Sequence, residues 1–445
     1  MAETVMRQNR MKKHNRSLNI LAAAVLTLTM TAAAFFMPAG PFMYRAFAEG
    51  EGGIDAGMDL KDISKFGNIK LTTGGRLMTK DDLEAAGIEY GDIVTVSFLD
   101  QQLEMPVTSE FSEVGTGDLL LREDDKEAEL AISMGDFASA YIADKASSDD
   151  EQLVWTYKEG VSDVTFHIEL TEKGGLFSRY GHERLTYSDE RSDFPDLSDE
   201  QFANFRVVST TGMGKDVLYR SASPVNPLRK RNTYADAACK KHGIAAVMNL
   251  ADSEKDVRSF PGFDGTYYST TDWTALDMGV NFDSDDYRKK LAEGLMFFAG
   301  HEGPYLVHCT EGKDRAGVAA ALLECLMGAT YDEVIDDYMV TYYNYYGITP
   351  DDDRYKTIAA DNIEATLKKM YGTDDLAGAD LAAEAEEYCR EIGLTDEEIS
   401  ALRTNLGGEK AGHTKKPEYA SFAVFMTALF IGLVVLGVFR RKKRA

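Results

Sequence analysis

Between the apolar run Pro304-Tyr305-Leu306-Val307 and the apolar stretch Val318-Ala319-Ala320-Ala321-Leu322-Leu323, the chain reads His308-Cys309-Thr310-Glu311-Gly312-Lys313-Asp314-Arg315-Ala316-Gly317. That order predicts a strand, a tight loop and the N-terminus of a buried helix. From about residue 201 strand and helix patterns alternate, so an α/β domain with a central sheet flanked by helices is expected. The loop also constrains chemistry. Successive backbone N–H groups point into such a turn, and the helix dipole favours negative charge there. Cys309 in that field is a candidate nucleophile as its thiolate. Arg315, six positions on, can return to grip two phosphate oxygens. Cys239, Cys325 and Cys389 are followed six places on by Ala245, Tyr331 and Thr395, so only Cys309 has this pattern.

The segment resembles the signature loop of the protein tyrosine phosphatase superfamily. Its Gly-Lys-Asp-Arg core is most similar to the bacterial protein tyrosine phosphatase family whose members also act on phosphoinositides, with the pattern His-Cys-x-x-Gly-Lys-Asp-Arg-Thr-Gly. Asn204-Phe205-Arg206, Leu218-Tyr219-Arg220-Ser221-Ala222-Ser223-Pro224 and Ala246-Val247-Met248-Asn249-Leu250 match upstream, so the resemblance covers about residues 201–370. It implies that Cys309 attacks phosphorus in line and that water hydrolyses the resulting phosphocysteine. Arg315 and the loop of Thr310, Glu311, Gly312 and Lys313 would bind the equatorial oxygens. Asp314 carries over as general acid, with Asp272 and Asp277 as competitors. Lys313 would add positive charge at the mouth. Arg220 is either a second oxyanion contact or a structural ion pair, and His308 orients the loop by hydrogen bonds. No metal or organic cofactor is implied. Two departures stand out: Ala316 replaces the family's Thr or Ser after the arginine, and Asn249-Leu250-Ala251-Asp252 replaces Asp-Leu-Arg.

The ends of the chain suggest a membrane. Arg7, Arg10, Lys12, Lys13 and Arg16 precede an apolar run at about Leu18–Met37, and Ala46-Phe47-Ala48 suits a signal-peptidase site. Residues 1–48 therefore read as a signal peptide or an uncleaved anchor. Tyr419–Phe439 is uncharged and long enough to span a bilayer, and a basic tail, 440–445, follows it. Positive charge stays cytoplasmic, so a single-pass protein with its catalytic domain outside the cell membrane is expected. The net charge of −26 is concentrated between those basic ends. Neither nucleic acid nor an anionic lipid surface is accordingly an expected partner, and attraction for phosphate must be local. Cys325 reads as core, whereas Cys239 and Cys389 could pair.

The remaining boundaries follow composition. Residues 49–200 are strand-like and turn-rich, with strands expected at 93–98, 118–121 and 164–170. Phe66-Gly67-Asn68-Ile69, Gly91-Asp92 and the 132–138 stretch faintly resemble the small barrel of the S-adenosylmethionine hydroxide adenosyltransferases. Without the partner domain that completes that family's pocket, a spacer or recognition domain of unknown role is expected. The catalytic domain spans 201–406, and 407–418 forms a polar linker. Thr330-Tyr331-Asp332-Glu333 and Thr395-Asp396-Glu397-Glu398 read as helix caps. The Tyr338, Tyr342, Tyr345 stripe reads as core. Three functions fit: an extracellular phosphatase of phosphotyrosine proteins; the same chemistry on inositol phosphates, phospholipid head groups or other small phosphate esters; or a phosphate-binding receptor without turnover.

Overall fold

The computed structural model describes residues 53–147, 153–181, 184–186 and 188–407. In its first half, period-two alternation builds a sheet. Ile93–Phe98 pairs antiparallel with Thr165–Glu172. Val94, Val96, Phe166 and Ile168 are buried, while Thr95 and Ser97 are partly exposed. Both strands belong to a nine-stranded sheet. Its order is Ile69–Lys70, Ala128–Ile132, Leu119–Glu123, Gln101–Thr108, Ile93–Phe98, Thr165–Glu172, Gly53–Gly57, Thr72–Thr73 and Arg76–Leu77. Only Leu71 separates the strand at one end of that order from Thr72–Thr73 near the other. The sheet therefore rolls round on itself into a barrel-like form. Ile69, Leu71, Met105, Leu121, Leu130 and Phe137 fill its core.

The second half is the α/β domain. Its five-stranded sheet runs Arg206–Val207, Leu218–Ser221, Tyr305–His308, Ala246–Asn249, Asp272–Ala275. The last four strands are parallel and the first is antiparallel. Leu218, Met248, Tyr305 and Val307 pack on one face against helices that include Asp285–Gly300 and Asp314–Met327. Tyr219, Val247 and Leu306 pack on the other against Ala235, Ala238 and Cys239 of the Asn232–His242 helix. Burial on both faces is why Ala246–Met248 and Tyr305–Val307 read as unbroken apolar runs. The register sets Ser221, His308, Asn249 and Ala275 in one row, so the loops that follow emerge together at the sheet's carboxyl end. Ligands of open parallel sheets bind at that end.

Local signals agree with these elements. Thr330 and Thr395 cap their helices through capping boxes with Glu333 and Glu398. Tyr338, Tyr342 and Tyr345 are buried in the core. The four cysteines are free and buried. A Cys239–Cys389 bridge is not made, because the two residues belong to separate hydrophobic cores, on opposite faces of the sheet.

The β-rich and α/β parts belong to one compact unit. The N–H of Thr116 donates to Asp361 O at 2.8 Å, in the π-helical turn Ala360–Glu364. Lys369 Nζ returns a bond to Thr116 O at 3.2 Å, and the Glu113 carboxylate accepts from the Leu185 N–H at 2.7 Å. Among the described residues no helix is long and apolar enough to cross a membrane. The expected signal segment, the 419–439 span and the basic tail lie outside those residues.

Candidate active site

Tyr305–His308 is the central strand, and its buried side chains fix where the next residue emerges. Cys309 follows it, and Asp314 opens the Asp314–Met327 helix. The loop between them closes tightly because Gly312 takes a left-handed φ of 72°. A Cβ there would lie 2.2 Å from Ser221 O, so glycine is required on two counts. We expect Gly312→Ala to lower stability by about 1–3 kcal/mol and to weaken tungstate binding. Thermal unfolding and calorimetric titration check both.

The loop is held from behind by groups that leave its inner face open. Arg220 Nη2 donates to Gly312 O at 2.9 Å and Lys313 O at 3.2 Å, while Nη1 pairs with Asp337 at 2.7 Å. Arg220 is wholly buried, so of its two expected roles the structure shows the structural ion pair. Asn204 Nδ2 and the Tyr345 hydroxyl donate to Glu311 O at 3.1 and 3.0 Å. The N–H of Ser223 holds Thr310 O at 3.2 Å. With its carbonyls turned outward, the loop's N–H groups point inward. Among the described residues the amides of Thr310, Glu311, Gly312 and Lys313 donate to no protein acceptor. Four consecutive unengaged donors at a helix N-terminus form an anion nest.

Arg315 completes it. The residue is 5% exposed. Its Nη1 donates to Met278 O at 3.0 Å and its Nη2 to Thr310 Oγ1 at 3.2 Å. The buried Nε has no hydrogen-bond partner among the described residues. A buried donor without an acceptor is costly unless a ligand supplies one. Phosphate oxygens would supply it.

The charged side chains of the loop turn away from the nest. Glu311 pairs with Arg229 at 2.6 Å and Lys313 at 3.3 Å. Burial opposes its charge, yet Lys313 and Arg229 outweigh that and hold its carboxyl at about 2. Lys313 is 4% exposed and also donates to the Tyr346 hydroxyl at 3.1 Å. It therefore lies in the wall, where the sequence suggested a charge at the mouth. His308 Nδ1 donates to Cys309 O at 3.2 Å, and burial lowers its pKa to about 4. A ring bonded in this way ties Cys309 to the end of the Tyr305–His308 strand.

The three candidate acids are separated by position. Asp272 pairs in register with Ala246 at the start of its strand, roughly 10 Å from the carboxyl-end row at a strand rise of about 3.3 Å per residue. Asp277 lies at the correct end, but its carboxylate pairs with Lys65 at 2.9 Å. The Asp314 carboxylate has no hydrogen-bond or ion-pair partner among the described residues and is partly buried. Burial raises its pKa, against the pull of Lys313.

Sequence reasoning missed the outer contributors. Met278 O and Phe66 both fix Arg315, the Phe66 ring centroid lying 5.2 Å from Cζ. A backbone carbonyl leaves no signal in a residue pattern. Phe66 stands in a different domain, almost 250 positions upstream.

A parallel sheet that delivers a cysteine and an arginine to one anion nest defines the class of cysteine-loop phosphatase folds. Residues 203–408 match the Tyrosine phosphatase family, which extends the expected 201–370. A tyrosine-protein phosphatase of Nostoc commune is 32% identical over 120 residues, covering 24% of this chain and 41% of that protein. The chain thus spans well under two thirds of that curated relative. Among solved structures, an uncharacterized conserved protein from Thermotoga maritima is 15% identical, with a TM-score of 0.20, covering 30% of this chain and 42% of its own. The core catalytic domain of a PP-IP phosphatase from S. cerevisiae, in complex with citrate, is 16% identical with a TM-score of 0.22. It covers 38% of this chain and 94% of its own.

Proposed function

We propose that this protein is a cysteine-dependent phosphatase of phosphomonoesters, with protein phosphotyrosine as its substrate. The observation that carries the reading is the nest: unengaged amides at 310–313 and an unpartnered Arg315 Nε around Cys309. Cys309 Sγ attacks phosphorus, the ester oxygen leaves with a proton from Asp314, and water then hydrolyses the phosphocysteine. Arg315 and the loop amides bind the equatorial oxygens as charge develops. The burial of Cys309, which is only 3% exposed, supports an ester that carries its phosphate on a long group such as the ring of tyrosine. The apolar 419–439 segment and its basic flank support anchoring in the cell membrane with the site outside.

The test is a substrate panel on the full chain: phosphotyrosine peptides, inositol phosphates, phospholipid head groups and an aryl phosphate, with Cys309→Ser as control. Preference for the phosphotyrosine peptides is expected. Turnover of inositol phosphates alone would transfer the assignment to small esters. Turnover of none, with phosphate still bound, would make the protein a receptor.

Ala316 adds a kinetic expectation. It is fully buried beside Arg315 and offers no hydroxyl to the departing thiolate sulfur. Breakdown of the phosphocysteine should therefore limit turnover, giving a burst of leaving group before a slower steady state. Ala316→Ser adds one oxygen in a tight space and should raise the steady rate by at most about 1.5–3 kcal/mol of barrier. Rapid mixing with an aryl phosphate reads both phases. Absence of a burst, with an unchanged rate in Ala316→Ser, would show that another group already supplies that hydrogen bond.

A further inference from the structure

The guanidinium of Arg315 is held at Nη1 and Nη2 by its own domain and lies over an aromatic ring of the other. Phe66, at the tip of the Ser64–Asn68 loop of the barrel-like part, places its ring 5.2 Å from Arg315 Cζ. That separation lies within cation–π range, and the attraction is largest where water is excluded, as it is around a residue 5% exposed. We infer that Phe66 is a positioning residue for phosphate binding: it holds the face of Arg315 so that the unpartnered Nε edge stays turned to the nest. The inference rests on the reading above, in which Arg315 grips phosphate.

The loop that presents Phe66 is held at each residue. Ser64 Oγ accepts from the N–H of Phe66 at 3.2 Å and of Asn68 at 3.1 Å, and the Ser64 N–H donates to Asn68 O at 2.9 Å. Gly67 adopts a left-handed φ of 85°, and a Cβ there would lie 1.9 Å from Asp136 Oδ1. The N–H of Ala138 holds Gly67 O at 2.8 Å, and Lys145 Nζ holds Lys65 O at 2.9 Å. A tip fixed in this way delivers its side chain without an ordering cost at the moment of binding.

The same loop reaches the other support of Arg315. Lys65 Nζ donates to Ala251 O and to the Asp277 carboxylate, both at 2.9 Å. Asp277 holds a left-handed φ of 43°, a conformation that persists only where its surroundings fix it. Met278, the next residue, accepts from Arg315 and is tied back to Leu250 O at 2.9 Å. The Lys65–Asp277 pair is half-exposed and contributes little energy. Its consequence is register, because it docks the loop where Phe66 covers the guanidinium.

The experiment compares tungstate binding by calorimetry and aryl-phosphate kinetics in the full chain. Phe66→Leu keeps an apolar contact without the ring. It should raise the tungstate Kd and the KM together by about 3–30-fold, the span of a cation–π contact, with a smaller change in kcat. Phe66→Tyr keeps the ring and should stay within about two-fold of wild type. Phe177→Ala removes an exposed aromatic of the same domain and should change neither value. Thermal unfolding confirms that each variant is folded. Tungstate affinity lost in Arg315→Met but unchanged in Phe66→Leu would overturn this inference and leave the phosphatase reading intact. A Phe66→Tyr as weak as Phe66→Leu would also overturn it. A wild type that binds no tungstate and turns over no ester would remove the reading and the inference together.

Discussion

Cys309→Ser should abolish turnover while leaving oxyanion binding close to wild type. The two properties separate because different atoms carry them. Turnover needs a sulfur that attacks phosphorus, and a serine hydroxyl in the same place has no base to activate it. His308 does not serve, since its Nδ1 is bound to Cys309 O and burial lowers its pKa to about 4, which makes the ring a weak proton acceptor. Binding needs the amides of 310–313 and the guanidinium of Arg315, and neither touches Sγ in the hydrogen-bond network. The loss of rate should be roughly 10⁴–10⁶-fold, as expected for a covalent nucleophile that works as part of a unit. Arg315→Lys should behave differently. It keeps the charge but cannot span Met278 O, Thr310 Oγ1 and two phosphate oxygens at once. It should lose both tungstate affinity and rate. Wild-type-like hydrolysis by Cys309→Ser, or activity that requires an added divalent metal, would rule out the phosphocysteine route.

The strand–loop–helix at the centre of the site was legible because its cause is local. An apolar run, a glycine that alone tolerates the left-handed turn, and an apolar helix follow one another along the chain. The capping boxes at Thr330 and Thr395 were legible for the same reason. The support of the loop was not. Asn204, Arg220 and Tyr345 each converge on a loop carbonyl from positions distant in sequence. Asn204 and Arg220 stood in segments matching the family, yet a match carries no direction. Arg220 could be assigned to the back of the loop only once its bonds to Gly312 O and Lys313 O were visible. Lys313 shows the same limit, since a lysine in a phosphate loop invites a role at the mouth. The partners that draw it into the wall, Glu311 and Tyr346, are chosen by packing. The barrel-like half was read correctly as β-rich, and its link to the site was hidden. Phe66 reaches Arg315 through tertiary docking alone, which no periodicity encodes.

Asp314→Asn should slow esters with poor leaving groups by about 10²–10⁴-fold, the range of general acid catalysis, and slow an activated aryl phosphate far less. The leaving oxygen of an alkyl or tyrosyl ester needs a proton as the bond to phosphorus breaks, whereas a nitrophenolate departs without one. Asp314 opens the helix that follows the nest, and its carboxyl has no other partner among the described residues. Burial favours its protonated form, so its pKa lies above the ordinary carboxylate value. The sign follows from the role. An acid must carry its proton, so kcat for a poor leaving group should fall as pH rises through the pKa of Asp314. Because that pKa is raised, the fall should lie above the usual carboxylate range. Asp314→Asn should remove that alkaline limb for the poor leaving group, and the activated ester should lack it even in the wild type. Steady-state pH profiles with the two esters measure this directly. The competing assignment gives a different pattern. Asp277 is already paired with Lys65, so Asp277→Asn should shift affinity through the Met278 support and leave the pH profile in place. If the leaving-group-selective loss appeared in Asp277→Asn and not in Asp314→Asn, the proton would come from the loop after the Asp272–Ala275 strand, and Asp314 would be part of the phosphate site alone.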